Sequence, residues 1–348
     1  MPRSDRFLKA CRRQPVDATP VWFMRQAGRY LPEYRALREQ HAMLDLIRTP
    51  ELATRITLQP VNAFEVDAAI IFADILTVLD GMGLGLTFPS GEGPVLQRPI
   101  RSDADVERIT VRPPEETVGF TLEAIRETRL RLAGAVPLIG FSGAPFTLAC
   151  YAIEGRSSRD FLLARAFMKA FPDAWHSLME KLASATGEYL AAQVQAGAQA
   201  LQLFDTWAGL LNPEEYREYV QPYSRQALRL ARRNPDAPII HFAIRSADLL
   251  TQLRDAGGDV IGVDSSTDLA DAWRRLGDRM AVQGNLDPDT LADSLHDARS
   301  QTRKILDSVR GKPGHIFNLG HGIRKDTPPE NVAEIARFVH RHTESPRA

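Results

Sequence analysis

The sequence is poor in cysteine, balanced in charge and without an apolar run long enough to span a membrane. Its 348 residues include only 2 cysteines, Cys11 and Cys150, which are too few for a disulfide framework and lie in no zinc-ligand spacing. Lys and Arg number 43 against 44 Asp and Glu, and this net charge of −1 creates no overall field that favours nucleic acid or an anionic membrane. We therefore expect a protein of the reducing cytoplasm that binds neither nucleic acid nor membrane.

The longest uncharged stretch runs from Leu132 to Ile153. Glycine and proline interrupt it repeatedly, which is typical of a buried strand and loop rather than of a membrane helix. The basic N-terminal segment is not followed by the apolar region of a secretory signal. An organelle-targeting peptide is the alternative that this segment leaves open.

Short apolar runs alternate with amphipathic segments along the chain. Some runs are apolar on both faces, as the strands of a parallel sheet covered by helices must be. The runs that predict strands are Val21–Met24, Ala68–Phe72, Pro137–Phe141, Ala200–Phe204, Pro238–Phe242, Val260–Val263, Met280–Gln283 and His315–Asn318. Eight strands alternating with helices predict an α/β fold, one (β/α)8 barrel that forms a single domain over residues 1–348. The alternative is a doubly wound sheet, but no Gly-x-Gly-x-x-Gly motif follows the first run.

The stretch from Ala73 to Val136 is too long for one crossover helix. Glycine and proline at high density mark turns between short strands. Two such clusters, Gly81–Gly85 and Pro89–Pro94, predict a β-hairpin inserted after the second strand, over the mouth of the barrel.

The run from Met24 to Tyr30 places two arginines on either side of a Gln-Ala-Gly centre. Arginine presents its donors in a rigid fork, so Arg25 and Arg29 near one backbone bend suit carboxylates or phosphates. Gly28 permits a close backbone approach or a positive φ angle. An ordinary solvated loop is the alternative for this run taken alone.

Barrel enzymes carry their active residues just beyond the carboxyl ends of the strands. The residues at those positions here include Arg25, Arg29, Asp74, Ser142, Thr147, Tyr151, Asp205, Thr206, Arg245, Asp264, Asn285 and His321. Three of them have structural alternatives. Asp74 could cap the next turn, Tyr151 could be a core tyrosine with a satisfied hydroxyl, and His321 between two glycines could serve packing alone.

The run from Pro20 to Arg35 resembles, almost letter for letter, the N-terminal signature of the uroporphyrinogen decarboxylase family. Further runs that resemble the family follow in order: Ala68–Leu76, Pro137–Phe141, Gly143–Pro145, Ala200–Phe204, Gln283–Pro288 and Asn318–Gly322. The resemblance extends over almost the whole chain, from about residue 6 to about residue 342.

This resemblance implies a distorted (β/α)8 barrel, a homodimer whose two clefts face each other, and no metal or organic cofactor. It implies an enzyme that removes the carboxyl groups of the four acetate side chains of uroporphyrinogen III. The product is coproporphyrinogen III, a haem and chlorophyll precursor. Because the protonated pyrrole of the substrate itself takes up the electron pair of the leaving carboxylate, no cofactor is needed as an electron sink.

The resemblance also implies roles for individual residues. Asp74, Arg25, Tyr151 and His321 are implied in catalysis, where Asp74 accepts hydrogen bonds from the pyrrole N–H groups and offsets the developing positive charge. The implied substrate contacts are Arg25, Gln26, Ala27, Gly28, Arg29, Arg38, Asp74, Tyr151, Phe204, Thr206 and His321. The arginines are expected to bind carboxylates, and Phe204 is expected to pack against the macrocycle.

Three segments depart from the family pattern. Thr206 stands where the family commonly has serine, the segment Val263–Thr267 lacks a usual tryptophan, and His241–Arg245 lacks a usual Lys-Gly or Lys-Asp-Gly element. The motifs implied in catalysis stay intact, so these departures bear on the fine positioning of the substrate.

Two other functions are compatible with such a barrel. A corrinoid methyltransferase uses zinc held by a cluster of His and Cys ligands, and Cys11 and Cys150 sit in no such cluster. A non-catalytic tetrapyrrole-binding barrel would retain arginines for carboxylates but would not require Asp74 together with His321. We therefore expect the decarboxylase.

Overall fold

Strands and helices alternate in the computed structural model, which describes residues 3–89, 91–233 and 235–344. The strands in these ranges are β1 (Ala69–Ile70), β2 (Leu86–Thr87), β3 (Val95–Leu96), β4 (Leu138–Gly143), β5 (Ala200–Phe204), β6 (Ile239–Phe242), β7 (Val260–Gly262), β8 (Ala281–Gln283) and β9 (His315–Ile316). The α-helices are α1 (Arg3–Cys11), α2 (Pro32–Gln40), α3 (Met43–Arg48), α4 (Pro50–Ala63), α5 (Thr77–Gly81), α6 (Asp103–Arg108), α7 (Pro114–Thr117), α8 (Gly119–Leu132), α9 (Pro145–Glu154), α10 (Leu162–Ala170), α11 (Pro172–Ala196), α12 (Pro213–Tyr219), α13 (Gln221–Ala231), α14 (Leu250–Ala256), α15 (Leu269–Leu276), α16 (Pro288–Asp293), α17 (Leu295–Ser308) and α18 (Pro329–Thr343). Short 3-10 helices cover Ala208–Leu210 and Ala247–Leu249.

Seven of the strands in the described ranges form one parallel sheet in the order β1-β4-β5-β6-β7-β8-β9. Neighbouring strands pair in parallel register, as where Leu201 of β5 lies opposite Ile239 of β6. Nearly every strand residue is buried, since helices pack on the outer face of the sheet and side chains fill the inside. Each of these strands overlaps one of the predicted apolar runs, so the last seven predicted strands are confirmed.

The first predicted strand, Val21–Met24, is not a regular strand, and that prediction is wrong in detail. Val21 makes a single parallel bridge with Phe317, which follows β9 directly. The Val21 carbonyl also accepts a hydrogen bond of 2.7 Å from the N–H of Asp67, just before β1. Segment 20–24 therefore joins the two edges of the sheet and completes a ring of eight positions. The predicted (β/α)8 barrel is confirmed.

Segment 20–24 is irregular because a side chain replaces a neighbouring strand as its hydrogen-bond partner. The N–H of Val21 donates to the Asp67 carboxylate at 2.8 Å instead of to a backbone carbonyl. The same buried carboxylate accepts a hydrogen bond of 2.7 Å from Arg6 of α1 and lies 2.6 Å from Nε2 of His340 of α18. The closure of the barrel is thereby tied to the first and last helices.

The long stretch between β1 and β4 contains an antiparallel hairpin. Leu86 of β2 pairs with Leu96 of β3, and Thr87 pairs with Val95. The N–H of Leu96 donates to the carbonyl of Gly155, directly after α9, at 2.7 Å. The hairpin is therefore anchored to the helix that follows β4; its position over the barrel mouth stays a prediction.

Within the described residues, no helix combines the length and the apolar character needed to cross a membrane.

Candidate active site

The side chain of Gln26 anchors the loop that carries Arg25. The Gln26 side chain is fully buried; its oxygen accepts from the N–H of Phe23 at 3.0 Å and its nitrogen donates to the carbonyl of Ala68 at 2.9 Å. Gln26 is therefore a structural residue, and its predicted role as a substrate contact does not extend to its side chain. Arg25 itself is exposed and has a φ angle of 63°. A non-glycine residue persists in this left-handed region only where its surroundings hold it there.

The next three residues leave their backbone donors free. The N–H groups of Ala27, Gly28 and Arg29 have no hydrogen-bond acceptor among the described residues. The chain is tight at this bend, because a Cβ on Gly28 would lie 3.0 Å from the carbonyl oxygen of Arg25. Successive free N–H groups in a tight bend form an anion-binding concavity. The exposed side chain of Arg29 adds a positive charge to it.

Arg38 lies in the last turn of α2, close to the same loop. Its Nη1 donates to the carbonyl of His41 at 2.5 Å. Burial raises the pKa of Tyr34, and the positive charges of Arg38 and Arg29 both act to lower it. Both guanidinium groups therefore act electrostatically on the Tyr34 hydroxyl.

Arg25 meets the loop after β9 through Gly322. A Cβ on Gly322 would lie 2.9 Å from both Cγ and Nε of Arg25, so the arginine side chain occupies the space that a side chain at position 322 would fill. A hydrogen bond of 2.9 Å from the N–H of Ile323 to the carbonyl of Met24 joins the same two loops. His321 is the residue immediately before this crossing.

The protonation state of His321 follows from its backbone contact. The N–H of Gly322 donates to Nδ1 of His321 at 2.6 Å. Because a backbone N–H can only donate, Nδ1 carries no proton, and the neutral ring has its proton on Nε2. Burial lowers the pKa of His321, as does the positive charge of Arg25, against smaller opposing effects of Asp264 and Asp289. The ring is therefore neutral at pH 7 and presents an N–H donor.

Asp74 lies in the loop after β1. One of its carboxylate oxygens accepts a hydrogen bond from a described residue and the other does not. Oδ1 accepts a hydrogen bond of 2.8 Å from the N–H of Leu76 in a local turn. It does not cap α5, whose first turn receives no side-chain hydrogen bond. Oδ2 accepts no hydrogen bond from any described residue. Burial raises the pKa of Asp74, while the Leu76 N–H and the charge of Arg25 oppose the rise.

Tyr151, on α9, belongs to an aromatic cluster. Its ring lies 5.4 Å from that of Phe161 and 6.4 Å from that of Trp207, measured between centroids. Burial raises the pKa of the Tyr151 hydroxyl, and the negative charge of Asp74 raises it further. The ring is half-buried rather than part of the closed core. Phe161 and Trp207 were not predicted as site residues, although Trp207 adjoins Thr206 in the sequence.

Phe204 is the last residue of β5, and Thr206 lies in the loop that follows it. The Phe204 ring packs edge-on against Phe141 of β4, at 5.5 Å between centroids, and against Phe242 of β6, at 6.1 Å. Thr206 is half-buried, and its hydroxyl makes no hydrogen bond to a described residue. An apolar ring and a free hydroxyl therefore lie next to each other at this edge of the barrel.

The loop that contains Thr206 is fixed by Asp205, which sequence reasoning noted but did not assign to the site. The Asp205 carboxylate is fully buried and accepts hydrogen bonds from Thr147 at 3.4 Å and from the hydroxyl of Tyr216 at 3.2 Å. Thr147 in turn accepts from the N–H of Trp207 at 3.3 Å. Asp205 thus holds both Thr206 and the tryptophan that packs on Tyr151.

Arg25 is the centre of the arrangement. Its positive charge lowers the pKa of Asp74, of Tyr151 and of His321, in each case as a smaller effect than that of burial. Arg25, Asp74 and His321 come from the loops after segment 20–24, β1 and β9, and Tyr151 comes from helix α9, which follows β4. The four residues for which the sequence predicted catalytic roles thus all follow barrel strands, and the packing of Arg25 against Gly322 brings Arg25 beside His321.

The described residues contain no group of three or more His, Cys, Asp or Glu side chains arranged to hold a metal ion. Cys11 and Cys150 are both buried, and burial raises the pKa of each thiol, which disfavours the thiolate form needed of a zinc ligand. The two cysteines of the described chain are therefore core residues.

Comparison with known protein families identifies the chain as a whole. The family described as "Uroporphyrinogen decarboxylase (URO-D)" matches residues 2–342. The chain belongs to the uroporphyrinogen decarboxylase family. Members of this family are carboxy-lyases, so the protein is an enzyme that removes carboxyl groups.

Relatives within the uroporphyrinogen decarboxylase family are similar over nearly their full length. A uroporphyrinogen decarboxylase from Roseiflexus sp. (strain RS-1) is 55% identical over 342 residues, which cover 97% of this chain and 98% of the relative. One from Chloroflexus aggregans is 54% identical, with 96% and 95% coverage, and one from Geobacter sulfurreducens is 50% identical, with 97% and 98% coverage.

Solved structures show that the fold extends beyond uroporphyrinogen decarboxylases. A methyltransferase from Methanosarcina mazei has a TM-score of 0.82 at 19% identity and covers 97% of this chain and 98% of its own. A B12-independent methionine synthase from Shewanella sp. W3-18-1 has a TM-score of 0.58 at 11% identity, with 93% and 96% coverage. At these identities the likeness concerns the fold alone, and the family assignment rests on the sequence.

Proposed function

We propose that this enzyme converts uroporphyrinogen III to coproporphyrinogen III by removing the carboxyl groups of its four acetate side chains, without a metal or organic cofactor. The observation that carries the proposal is the position of Arg25, Asp74, Tyr151 and His321 beyond the carboxyl ends of the barrel strands, with the Arg25 side chain packed against Gly322 beside His321. Membership of the uroporphyrinogen decarboxylase family supports the same substrate. We also propose that the chain forms a single domain over residues 1–348.

The reaction needs a place for the electron pair that the departing CO2 leaves behind. Protonation of a pyrrole ring carbon makes the ring a cation. The bond between the acetate methylene and its carboxylate then breaks, CO2 leaves, and the electron pair neutralises the cation. A proton added to the methylene carbon gives the methyl group, and the ring carbon returns the proton it took. No oxidant or reductant is consumed.

Asp74 suits the role of partner to this transient cation. Its Oδ2 has no hydrogen-bond donor among the described residues and is free to accept pyrrole N–H groups. A carboxylate whose pKa is raised by burial is destabilised in its ionised form, so a cationic ring beside it relieves that cost. We therefore assign to Asp74 both the alignment of the macrocycle and the stabilisation of positive charge.

The remaining residues bind the carboxylates of the substrate. Arg25 and Arg29, together with the free N–H groups of Ala27 and Gly28, form a concavity suited to one or more of them. Arg38, in the last turn of α2, adds a further positive charge. In addition, we assign to Arg25 the positioning of the proton for the ring carbon, since its side chain lies against Gly322 beside His321.

Three side chains complete the proposed site. His321 is neutral with a proton on Nε2, so it donates one hydrogen bond to a carboxylate and adds no charge. The hydroxyls of Tyr151 and Thr206 donate or accept hydrogen bonds at the acetate and propionate groups. The Phe204 ring, held edge-on between Phe141 and Phe242, supplies an apolar surface for the macrocycle.

We further propose that the enzyme is a cytoplasmic homodimer. Three large apolar side chains are exposed on and beside α10: Leu162 at 65%, Leu163 at 50% and Phe171 at 45%. Helix α10 directly follows Phe161, which packs on Tyr151. An apolar surface so close to the site is suited to a second copy. Replacing Leu163 by glutamate should convert a dimer to a monomer in sedimentation velocity; a parent that sediments as a monomer at all concentrations would exclude the dimer.

The experiment that tests the function uses enzymatically made uroporphyrinogen III under reducing conditions. The parent enzyme, treated exhaustively with chelators, should release CO2 and accumulate coproporphyrinogen III, as measured by chromatographic separation of the oxidised products. Loss of turnover on chelation, restored by one specific metal, contradicts the cofactor-free mechanism. Tight binding without any CO2 release indicates the non-catalytic tetrapyrrole-binding barrel instead.

A further inference from the structure

Arg245, at the carboxyl end of β6, has the features of a functional residue that the family pattern does not supply. Its φ angle is 51°, the same left-handed region as that of Arg25. Its side chain is exposed, and its guanidinium makes no hydrogen bond or ion pair with any residue that the structure describes. A cation held on a strained backbone, with no protein partner, is available to a ligand.

The strained backbone is held by a buried carboxylate. The N–H of Arg245 donates to Oδ2 of Asp264, which is only 5% exposed. The other oxygen of Asp264 accepts from the hydroxyls of Ser266 and Thr267, at 2.9 Å each. Asp264 is therefore a fixed acceptor, and it determines the conformation of the residue bound to it.

A close packing contact holds the opposite side of the same turn. A Cβ on Gly209 would lie 2.7 Å from the carbonyl carbon of Arg245, so the loop after β5 rests directly on this turn. On its other flank, the loop after β7 contacts the His321 loop, because a Cβ on Gly320 would lie 2.7 Å from Cα of Ser265. Arg245 thus stands between the loop of Thr206 and the loop of His321.

The position of β6 in the barrel sets Arg245 against the arginine loop. Around the ring, segment 20–24 is followed by β1, β4, β5, β6, β7, β8 and β9. Segment 20–24 and β6 are therefore the first and fifth of eight positions and lie across the barrel from each other. Arg25 and Arg29 follow segment 20–24, and Arg245 follows β6.

We propose that Arg245 binds a carboxylate of the substrate at the side of the site opposite the Arg25 loop. This inference rests on the proposed function, since it takes the substrate to be a flat macrocycle with carboxylates around its whole edge. The carboxylates on the far side of such a polyanion lose water on binding, and the neutral Thr206 hydroxyl offsets the loss less well than a charged partner does. Arg245 supplies that partner, and Asp264 is its positioning residue.

The test compares Arg245→Gln, Arg245→Lys and Arg245→Gly with a matched control, Arg229→Gln. Arg229 is an exposed arginine on α13 with no hydrogen bond to a described residue. Glutamine removes the charge at similar length, lysine keeps the charge without the fork, and glycine adopts a positive φ without strain. The readouts are KM and kcat for uroporphyrinogen III, the melting temperature, and the equilibrium affinity for oxidised uroporphyrin, followed by tryptophan fluorescence.

We expect Arg245→Gln and Arg245→Gly to raise KM and to weaken uroporphyrin binding by about tenfold or more, with kcat changed much less. Arg245→Lys should fall between these variants and the parent. Arg245→Gly should melt at or above the temperature of the parent, because the strain at this position is released. This combination of weaker binding and undiminished stability distinguishes a ligand contact from a structural role.

Several results would overturn the inference. A KM and an affinity within about twofold of the Arg229→Gln control, in either Arg245→Gln or Arg245→Gly, would mean that no carboxylate contacts this side chain. If the parent binds uroporphyrin in an Arg245-dependent manner but never decarboxylates uroporphyrinogen, the proposed function fails and the carboxylate contact stands. A parent that neither binds nor reacts overturns both.

Discussion

The side chain of Arg25 lies across the backbone of Gly322, in the volume where position 322 would otherwise carry a side chain. A Cβ added to Gly322 would lie 2.9 Å from Cγ and from Nε of Arg25, closer than unbonded atoms of folded proteins pack. The N–H of the same glycine fixes the tautomer of His321. One glycine therefore sets the position of a guanidinium and the protonation of an imidazole.

Gly322→Ala should reduce kcat/KM for uroporphyrinogen by about 100-fold, because displacing a substrate-positioning group by ~1 Å can cost that much. The new methyl group pushes Arg25 from its place while the loop itself remains. The control is Gly119→Ala at the start of α8, where an added Cβ meets no atom within 4 Å. The measurement is kcat/KM of both folded variants. Equal values for the two would contradict the role of the Arg25–Gly322 contact in positioning the guanidinium.

Arg25→Lys and Arg29→Lys should each lower kcat/KM for the first decarboxylation by about tenfold or more, although the charge is kept. Lysine is a point donor and cannot reproduce the two-pronged contact of a guanidinium with a carboxylate. The measurement is the initial rate of loss of the octacarboxylate. Near-parental kinetics in either variant would remove planar carboxylate recognition at that position.

Asp74→Asn should lower kcat by a factor that corresponds to about 2.7–4 kcal/mol, the usual effect of deleting a preorganised electrostatic group. The amide keeps the shape but removes the charge and directs N–H donors at pyrrole N–H donors. Asp74→Glu, which keeps the charge, should retain more activity than Asp74→Asn if charge stabilisation dominates. Turnover of Asp74→Asn within about threefold of the parent would leave Asp74 with only its turn-forming role.

Asp74→Asn should also melt at a higher temperature than the parent at neutral pH. Burial raises the pKa of Asp74 above its ordinary value of 3.8, so ionising it costs more in the folded state than in the unfolded state. Stability is therefore lost as pH rises through the folded-state pKa, and asparagine avoids that loss while still accepting from Leu76. The difference in melting temperature should shrink towards about pH 3, where the carboxyl is protonated in both states. A difference that does not vary with pH would contradict this.

The His321 pKa, which burial and Arg25 lower from its ordinary value of 6.5, predicts a second pH effect with a definite sign. Below the ordinary pKa the unfolded chain takes up a proton that the folded chain does not, so the parent loses stability as pH falls. His321→Gln should not lose stability in this way. The melting temperature of the parent, relative to that of His321→Gln, should therefore fall as the pH is lowered from about 7.5 to about 5. A relative rise in the melting temperature of the parent over this pH range would mean that His321 is charged in the folded enzyme.

The sequence predicted the strands well where burial alone specifies them. Runs such as Ala68–Phe72 are apolar on both faces, and a strand covered on both sides accommodates that pattern. Segment 20–24 has the same apolar character, but its backbone pairs partly with the Asp67 carboxylate, a partner that no local periodicity reveals. The barrel could be predicted; the manner of its closure could not.

The site shows the same division between what residue types reveal and what conformation decides. The positions of Arg25, Asp74, Tyr151 and His321 at strand ends were readable, because barrel enzymes place polar groups there. Whether Gln26 faces inward or outward was not, since a loop glutamine serves either role. The left-handed backbone conformation of Arg245 could not be predicted either, because glycine is the residue type that indicates a positive φ in a sequence.

The Asp67 carboxylate has a consequence for how quickly the substrate site can fold. It joins Val21 to α18 through His340, and Met24 hydrogen-bonds to Asn318, 294 residues further along the chain. Contacts between residues so distant in sequence slow folding, because closing a long loop costs entropy. A chain that has paired only β4 to β8 therefore still lacks the contacts that hold the arginine loop.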